Sequence, residues 1–331
     1  MERGFDIWAN PSSPHAEGRK AREALEGARA RISMALGWDG ELVFTSGASE
    51  AATLALAGAR TGPQFVSAVE HDAVLKAAPG AGVLSVGPGG AVRLTCTESG
   101  LVAVQQVNSE TGNRQDIAGI AASVHDRGGL LVTDCAQGAG KMAFPSEADM
   151  GIVSAHKFGG PIGIGALLVK DFAMLVPAGG QERGYRRGTE NLPGALGMAA
   201  ALEAASDPYI EAHVLEPLDA FAEEVRALGG DWLSDRLSSP TPYIRAIAMP
   251  RLSGSAQLMR FDLAGIAVSQ GSACSSGTMK RSHVLSAMGL PDELADRTIR
   301  VSFGWSTTRA EVERFCETWL EMARNAVGKA A

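Results

Sequence analysis

The chain has 331 residues, 45% of them hydrophobic, and a formal net charge of −7 at neutral pH. That length is enough for one large core and a smaller second unit. The acidic balance, with no lysine/arginine block, argues against nucleic acid or an anionic membrane surface as partner. No apolar run approaches the roughly 20 residues of a membrane-spanning helix, and the N-terminus lacks a charged-then-apolar leader pattern. The four cysteines, Cys96, Cys135, Cys274 and Cys316, are widely spaced without a C-x-x-C pair. That spacing disfavours a zinc site or a disulfide framework and fits a reducing cytoplasm.

Residues 1–14 show no periodicity and include two prolines. Glu17 to Leu36 reads as a helix, with Ala24/Leu25, Ala28 and Ile32 on one face and Gly37 as its C-cap. Leu42-Val43-Phe44 reads as a short strand. It runs into Thr45-Ser46-Gly47-Ala48-Ser49-Glu50 and a helix from Ala51 to Arg60, for which Ser49 is a good N-cap. A strand, a small-residue turn and a helix N-terminus form a ready anion site, although simple capping explains the same residues.

The alternation continues with strands at Phe65–Val69, Val83–Val86 and Leu101–Val107. They end at Glu70-His71-Asp72, Val86 and Asn108-Ser109-Glu110-Thr111-Gly112 respectively. A helix is expected over Asp116–Arg127, followed by a strand at Leu130–Val132 that ends on Asp134. Two further apolar runs, Met150–Val153 and Ile164–Val169, flank Ser154-Ala155-His156-Lys157-Phe158-Gly159-Gly160-Pro161. If Lys157 is buried there, its ammonium must lose a proton or find a partner, and a neutral lysine amine is a nucleophile toward carbonyls. The plainer alternative is a surface lysine in a Gly-Pro turn.

Strand–helix alternation with unbroken apolar strands predicts an α/β fold around a mostly parallel sheet covered on both faces. Ligands of such sheets bind beyond the carboxyl ends of the strands, and Ser46, His71, Asn108, Asp134 and Ser154 all fall at strand ends. The Gly/Arg-rich stretch Ala178–Asn191 reads either as a solvated connection or as an anion-binding or subunit-contact loop. A helix over Leu192–Ala205 and another up to Leu228 bracket a break at Asp207-Pro208. A boundary is expected there, with a large domain over 1–205 and a smaller α+β domain over 206–331. The second part carries expected strands at Ile244–Met249, Ile266–Ser269 and Thr298–Phe303 and a helix over Ser253–Leu263. A Thr308-Arg309-Ala310-Glu311 capping box opens the last helix.

Asp134 and Lys157, one strand apart, suggest a pyridoxal phosphate site. Such a site needs a lysine to join the cofactor and an acid opposite its pyridine nitrogen. Gly47-Ala48-Ser49 offers a phosphate cradle, and His71 a flat group for the ring face. The plain readings are that Asp134 caps a helix and His71 is a satisfied core histidine.

Nine stretches, in order, resemble the cysteine desulfurase family, the pyridoxal-phosphate-dependent group within class V aminotransferases of fold type I. They are Asn10-Pro11-Ser12-Ser13-Pro14-His15, Thr45-Ser46-Gly47-Ala48-Ser49-Glu50, Glu70-His71-Asp72-Ala73-Val74-Leu75, Val107-Asn108-Ser109-Glu110-Thr111-Gly112 and Asp134-Cys135-Ala136-Gln137, followed by Ser154-Ala155-His156-Lys157, Arg187-Gly188-Thr189-Glu190-Asn191, Gly271-Ser272-Ala273-Cys274 and Ile299-Arg300-Val301-Ser302. The resemblance implies that Lys157 carries the cofactor and moves the substrate α-proton, Asp134 pairs with the pyridine nitrogen and Gln137 bonds the ring hydroxyl. It implies that His71 stacks on the ring and can act as acid/base. Ala48, Ser49, Ser154 and His156 would hold the phosphate, with Thr189 reaching in from the second subunit of a homodimer. Asn108 would lie beside ring and substrate, and Arg300 would grip the substrate carboxylate.

Cys274 would be the nucleophile, in a Ser/Gly-rich stretch resembling the family's long mobile loop. It would take sulfur from L-cysteine as a persulfide, release alanine and pass the sulfur to an acceptor such as an iron–sulfur scaffold, for iron–sulfur cluster or thiocofactor assembly. No resident metal is expected, beyond a cluster that Cys274 could share transiently with a scaffold. Selenocysteine lyase, another class V lyase or aminotransferase, and a cofactor-binding protein without activity are the other readings. The chain departs from the family in the expected absence of an opening strand and Thr-Thr-Pro-like segment ahead of Asn10. It also has Lys280-Arg281 after Cys274, where long-loop relatives commonly carry an acidic residue and a proline.

Overall fold

The computed structural model describes residues 1–205, 207–271 and 281–328. Among the described residues ten short strands occur, most of them separated by helices: β1 (Glu41–Thr45), β2 (Gln64–Ser67), β3 (Gly82–Leu84), β4 (Leu101–Gln105), β5 (Leu130–Asp134), β6 (Met150–Ser154), β7 (Gly165–Val169), β8 (Asp231–Trp232), β9 (Ile244–Ala248) and β10 (Thr298–Ser302). The chain divides into two compact units. One comprises Met1–Leu84, Leu94–Val107 and Asp116–Asp207; the other comprises Ser85–Arg93, Asn108–Gln115 and Pro208–Ala331.

The first unit is built on a seven-stranded sheet in the order β1-β7-β6-β5-β4-β2-β3. Strands β2 to β6 pair in parallel, and β7 runs antiparallel to both β6 and β1. Alternate residues of one strand enter different cores, because successive side chains leave opposite faces of the pleat. Leu42 and Phe44 of β1 join Ala166 and Leu168 of β7 against the helices Ala16–Leu36 and Leu192–Glu203. Val43, Leu167 and Val169 face the other way, against the helices Ala48–Gly58 and Asp72–Ala77. Burial on both faces is why these strands read as unbroken apolar runs.

The second unit carries an antiparallel sheet in the order β10-β9-β8. Its core is aromatic: Phe221 meets Trp232, Phe315 and Trp319 edge-on, and Phe261 stacks on Phe315. The last helix, Arg309–Gly328, opens on the expected capping box. The Thr308 backbone N–H donates to the Glu311 carboxylate at 2.7 Å, and the Glu311 N–H donates to the Thr308 hydroxyl at 3.3 Å.

Four local expectations are corrected. Residues 266–269 form no strand, since Ser269 alone makes an isolated bridge to Arg300. The helix expected up to Leu228 is two, Ala212–Leu215 and Pro217–Ala227, because Pro217 has no N–H to continue the first. Residues 1–14 include a short helix, Glu2–Asp6. The N-cap before Ser49 is Gly47, with φ of 150°, a conformation that side-chain-bearing residues seldom adopt. Ser49 lies in the first helical turn instead.

Candidate active site

Every parallel strand of the first unit points its carboxyl end to the same edge of the sheet, as does β1, which runs antiparallel to the reversed β7. The register brings Gln105 of β4 level with Asp134 of β5, and Asp134 level with Ile152 of β6. Two residues further, Ser154 and Thr45 both pair with Gly165 of β7. A Cβ on Gly165 would stand 2.5 Å from the Val153 carbonyl oxygen and 2.8 Å from Gly47 Cα. Only glycine lets the Gly47 turn come this close to β6 and β7.

Beyond this edge lies the helix Ala48–Gly58, whose N-terminus has no side-chain cap. Glu50, in its first turn, accepts hydrogen bonds from the Ser46 N–H at 2.6 Å and from Arg186 Nε at 3.0 Å. Burial alone would raise the Glu50 pKa; the Ser46 N–H and hydroxyl and the Arg186 guanidinium outweigh it and hold the carboxylate below its ordinary range. Arg186 thereby ties the Ala178–Asn191 loop to the turn. The loop is anchored again by Glu182, which accepts from Arg29 and from the Phe44 N–H. Thr189, in this loop, is exposed. Ser154 Oγ lies 3.0 Å from His156 Nδ1.

Asp134 is the electrostatic centre of the edge. Burial pushes its carboxyl above the ordinary range, opposed first by the Ala136 N–H, which donates at 2.9 Å, and then by the charges of His71 and Lys157. The His71 Nδ1 accepts from the Ala73 N–H at 3.1 Å. His71, Asp134 and Lys157 thus share one field. Lys157 ends a short 3-10 turn, Ala155–Lys157, and its side chain is exposed rather than buried. Of the two sequence readings, a buried lysine or a surface lysine in a Gly-Pro turn, the exposure matches the second.

Three groups were missed by the sequence reading. Glu70, 1% exposed, accepts from the Gln105 N–H at 2.9 Å. Burial pushes its carboxyl well above the ordinary range, and Asp134 adds to the effect. Lys141 donates to Gln137 Oε1 at 3.1 Å, and burial followed by the Lys157 charge lowers its pKa to about 8. Burial, then Lys157 and Lys141, also lower the pKa of His156. Arg186 is the third. Glu70 adjoins His71 and Lys141 sits four positions beyond Gln137, the spacing of neighbours on one side of a helical turn; that spacing was the available signal.

Two expected residues belong to the second unit. Asn108, 2% exposed, uses its Oδ1 within its own turn: it accepts from the Glu110 N–H, the Thr111 N–H and the Thr111 hydroxyl at 2.8–3.0 Å. Arg300 of β10 donates to the Ser109 carbonyl at 2.8 Å and to Ser269 Oγ at 3.0 Å. It lines a polar cavity of about 280 Å³ together with Ser253, Ser255, Gln270, Arg281 and Asp296. Glu110 closes this cavity, accepting from the Ser282 hydroxyl at 2.5 Å. Cys274 and Lys280 lie outside the described residues. Among the described residues no helix is long and apolar enough to cross a membrane, and no His/Cys/Asp/Glu cluster is arranged to hold a metal.

A seven-stranded sheet with one reversed strand, and an acid and a lysine at the carboxyl ends of neighbouring strands, is the architecture of fold type I enzymes. Residues 5–315 match the family model described as aminotransferase class-V. The chain belongs to that family, in its cysteine desulfurase branch. It is 36% identical to a cysteine desulfurase of Cereibacter sphaeroides, over 94% of this chain and 87% of that one. It is equally identical to cysteine desulfurase IscS 1 of Archaeoglobus fulgidus, over 94% and 88%. Among solved structures, a NifS-like protein from Rickettsia africae superposes with a TM-score of 0.84 at 29% identity, covering 97% of this chain and 94% of that one.

Proposed function

We propose that this chain is a cysteine desulfurase: it binds pyridoxal 5'-phosphate on the first unit, takes sulfur from L-cysteine onto Cys274 as a persulfide and releases L-alanine. The observation that carries the reading is the shared field of Asp134, His71 and Lys157, set beside a helix N-terminus without a side-chain cap. This donor set fits the cofactor. It offers a carboxylate for a pyridine nitrogen, a lysine for an aldehyde, an imidazole for a ring face, and N–H groups for a phosphate. When bound, pyridoxal phosphate supplies an electron sink for bonds broken at the substrate carbons.

In this reading the Asp134 carboxylate keeps the ring nitrogen protonated by a charge-assisted hydrogen bond. Lys157 would hold the cofactor, and its amine would move the α-proton of cysteine. The N–H groups of Ala48 and Ser49, with Ser154 and His156, hold the phosphate, joined by Thr189 of a second copy in a homodimer. Gln137 bonds the ring hydroxyl. Asn108 would lie beside ring and substrate, with its Oδ1 engaged in its own turn. Arg300 takes the substrate carboxylate. The Cys274 thiolate attacks the sulfur of bound cysteine, so that a sulfur–sulfur bond forms as the carbon–sulfur bond breaks. The electron pair left with the carbon side is quenched by protons, which gives alanine. The persulfide then passes to a cytoplasmic acceptor such as an iron–sulfur scaffold.

The test is to load the protein with pyridoxal phosphate, add L-cysteine, and quantify alanine and protein-bound persulfide beside Lys157→Ala and Cys274→Ala. Both products are expected from the wild type, and neither variant should form persulfide. Persistent persulfide in Cys274→Ala overturns the nucleophile assignment. A wild type that takes up no cofactor overturns the reading of the first unit, and faster turnover of L-selenocysteine moves the chain to the selenocysteine lyases.

A further inference from the structure

The Ala178–Asn191 loop delivers one guanidinium to the start of the helix Ala48–Gly58. Glu182 and Arg183 both take left-handed backbone, with φ of 48° and 55°, a conformation that is strained for residues with side chains and persists where the surroundings impose it. Arg29 imposes it: its side chain and that of Glu182 are buried, and its Nη1 and Nη2 donate to the Glu182 carboxylate at 2.9 and 3.1 Å. Beyond this bend Arg186 donates from Nε to Glu50 Oε1 at 3.0 Å and from Nη1 to the Gly188 carbonyl at 3.2 Å. The Gly188 N–H donates in turn to Gln181 Oε1 at 2.9 Å. Arg186 and Glu50 are both partly buried, their side chains 18% and 29% exposed.

Glu50 is the third residue of that helix, and its carboxylate folds back to accept from the Ser46 N–H at 2.6 Å. With its pKa held low, this sets an ionised group beside the helix start, where the first N–H groups have no partner within the helix. A carboxylate there favours the helix dipole and repels a second anion at the same end. The turn also approaches Ser154: a Cβ on Gly47 would stand 3.6 Å from Ser154 Oγ, which itself lies 3.0 Å from His156 Nδ1. We propose, on the reading of this unit as a pyridoxal phosphate site, that Arg186 is a positioning residue for the cofactor phosphate. It cancels the Glu50 charge beside the cradle, so that the Ala48 and Ser49 N–H groups receive a phosphate dianion without a repelling neighbour. The pair divides two tasks: Glu50 holds the Ser46 N–H and with it the turn, and Arg186 removes the repulsion that an acid there would bring. Arg186 acts through Glu50 and requires no contact with the phosphate.

The experiment compares wild type, Arg186→Gln, Glu50→Gln and the double variant as full chains stripped of cofactor. Each is titrated with pyridoxal phosphate and with pyridoxal, which lacks the phosphate, and binding is read from the visible absorption of the bound compound. Arg186→Gln is expected to weaken pyridoxal phosphate binding about tenfold, the scale of one charge acting on a dianion several ångströms away at a protein surface. Its affinity for pyridoxal should stay near wild type. Glu50→Gln, which leaves the guanidinium charge uncancelled, should bind pyridoxal phosphate more tightly than wild type. The double variant should return to within about threefold of wild type, because without the carboxylate there is no charge for Arg186 to cancel. An unchanged Arg186→Gln overturns the proposal, as does a loss shared equally by pyridoxal, which would mark Arg186 as support for the loop. A loss that persists in the double variant overturns it as well, since Arg186 would then act without Glu50. Should Arg186→Gln fail to fold, Glu50→Gln decides by itself: binding no tighter than wild type overturns the charge argument. A wild type that takes up no pyridoxal phosphate overturns the cofactor reading, whereas a wild type that binds it beside an unshifted Arg186→Gln overturns the role of Arg186 alone.

Discussion

Glu70 and Asp134 are two carboxyl groups in one field, and burial raises both. They differ in their cationic neighbours. Asp134 has His71 and Lys157 to favour its charged form, whereas the Glu70 pKa is raised by burial and the like charge of Asp134 against the Gln105 N–H and the Ser67 hydroxyl, which lower it. Environment thus separates one carboxyl whose charged form is favoured by its neighbours from one whose protonated form is favoured by burial. Because the folded pKa of Glu70 lies above its unfolded value, the stability linked to it is full below the ordinary carboxylate range. It is lost as pH rises through the raised folded pKa. The Glu70→Gln variant keeps an acceptor for the Gln105 N–H and removes the charge. Thermal melting across acidic to alkaline buffers should show it gaining on wild type as pH increases; a constant difference would show that folding does not raise the Glu70 pKa.

At the scale of elements, the cradle depends on backbone approaching backbone. Gly165→Ala would push a methyl group into the Val153 carbonyl and the Gly47 turn. Strain of this kind costs about 1–3 kcal/mol. Urea unfolding should register that loss, and cofactor affinity should fall with it because the Ala48–Gly58 helix is displaced. The turn after β4 depends on a side chain instead. Asn108→Ala leaves two buried N–H groups and the Thr111 hydroxyl without their shared acceptor, a loss of about 1–3 kcal/mol. Asn108→Asp keeps the acceptor oxygen and should recover most of it. If both variants unfold alike, the turn is not what Asn108 stabilises.

For the whole molecule, the cysteines give a direct readout. Cys96, Cys135 and Cys316 are free and buried. Burial, with nearby carboxylates, pushes the Cys316 thiol up to about 12 and the Cys135 thiol well above its ordinary value. Reactivity follows the thiolate and its access to reagent, so Cys135 and Cys316, and Cys96 by its burial, should label slowly in the native protein. Native Cys274→Ala is therefore expected to show no fast phase with a thiol reagent and three labelled thiols after denaturation; a fast phase in this variant would place a reactive thiol outside Cys274. The aromatic centre of the second unit is open to a similar test. Trp319, fully buried and edge-on to Phe221, should cost about 3–5 kcal/mol when truncated to alanine, measured by denaturant unfolding.

The sequence by itself determined the strand-and-helix order of the first unit, because its local signals agree: apolar runs for doubly covered strands, Gly37 for a helix end, Thr308 and Glu311 for a helix start. It also determined that Asp134 and Ser154 stand at strand ends, and a family resemblance supplied their roles. Tertiary structure alone decided which way each side chain faces and what it meets. Pairing between β4 and β5 brings the Glu70 carboxyl, bonded to Gln105, into the field of Asp134, though the two are distant in sequence. The turn after β6 exposes Lys157 in a stretch whose flanking runs are buried. The Gly138 turn, closed against Gln106, sets Lys141 on Gln137. Periodicity reports only how a residue sits on its own element. Sheet register and the closing of turns are long-range outcomes, and the charges that tune Asp134, Glu70 and Lys141 exist only once the strands have paired.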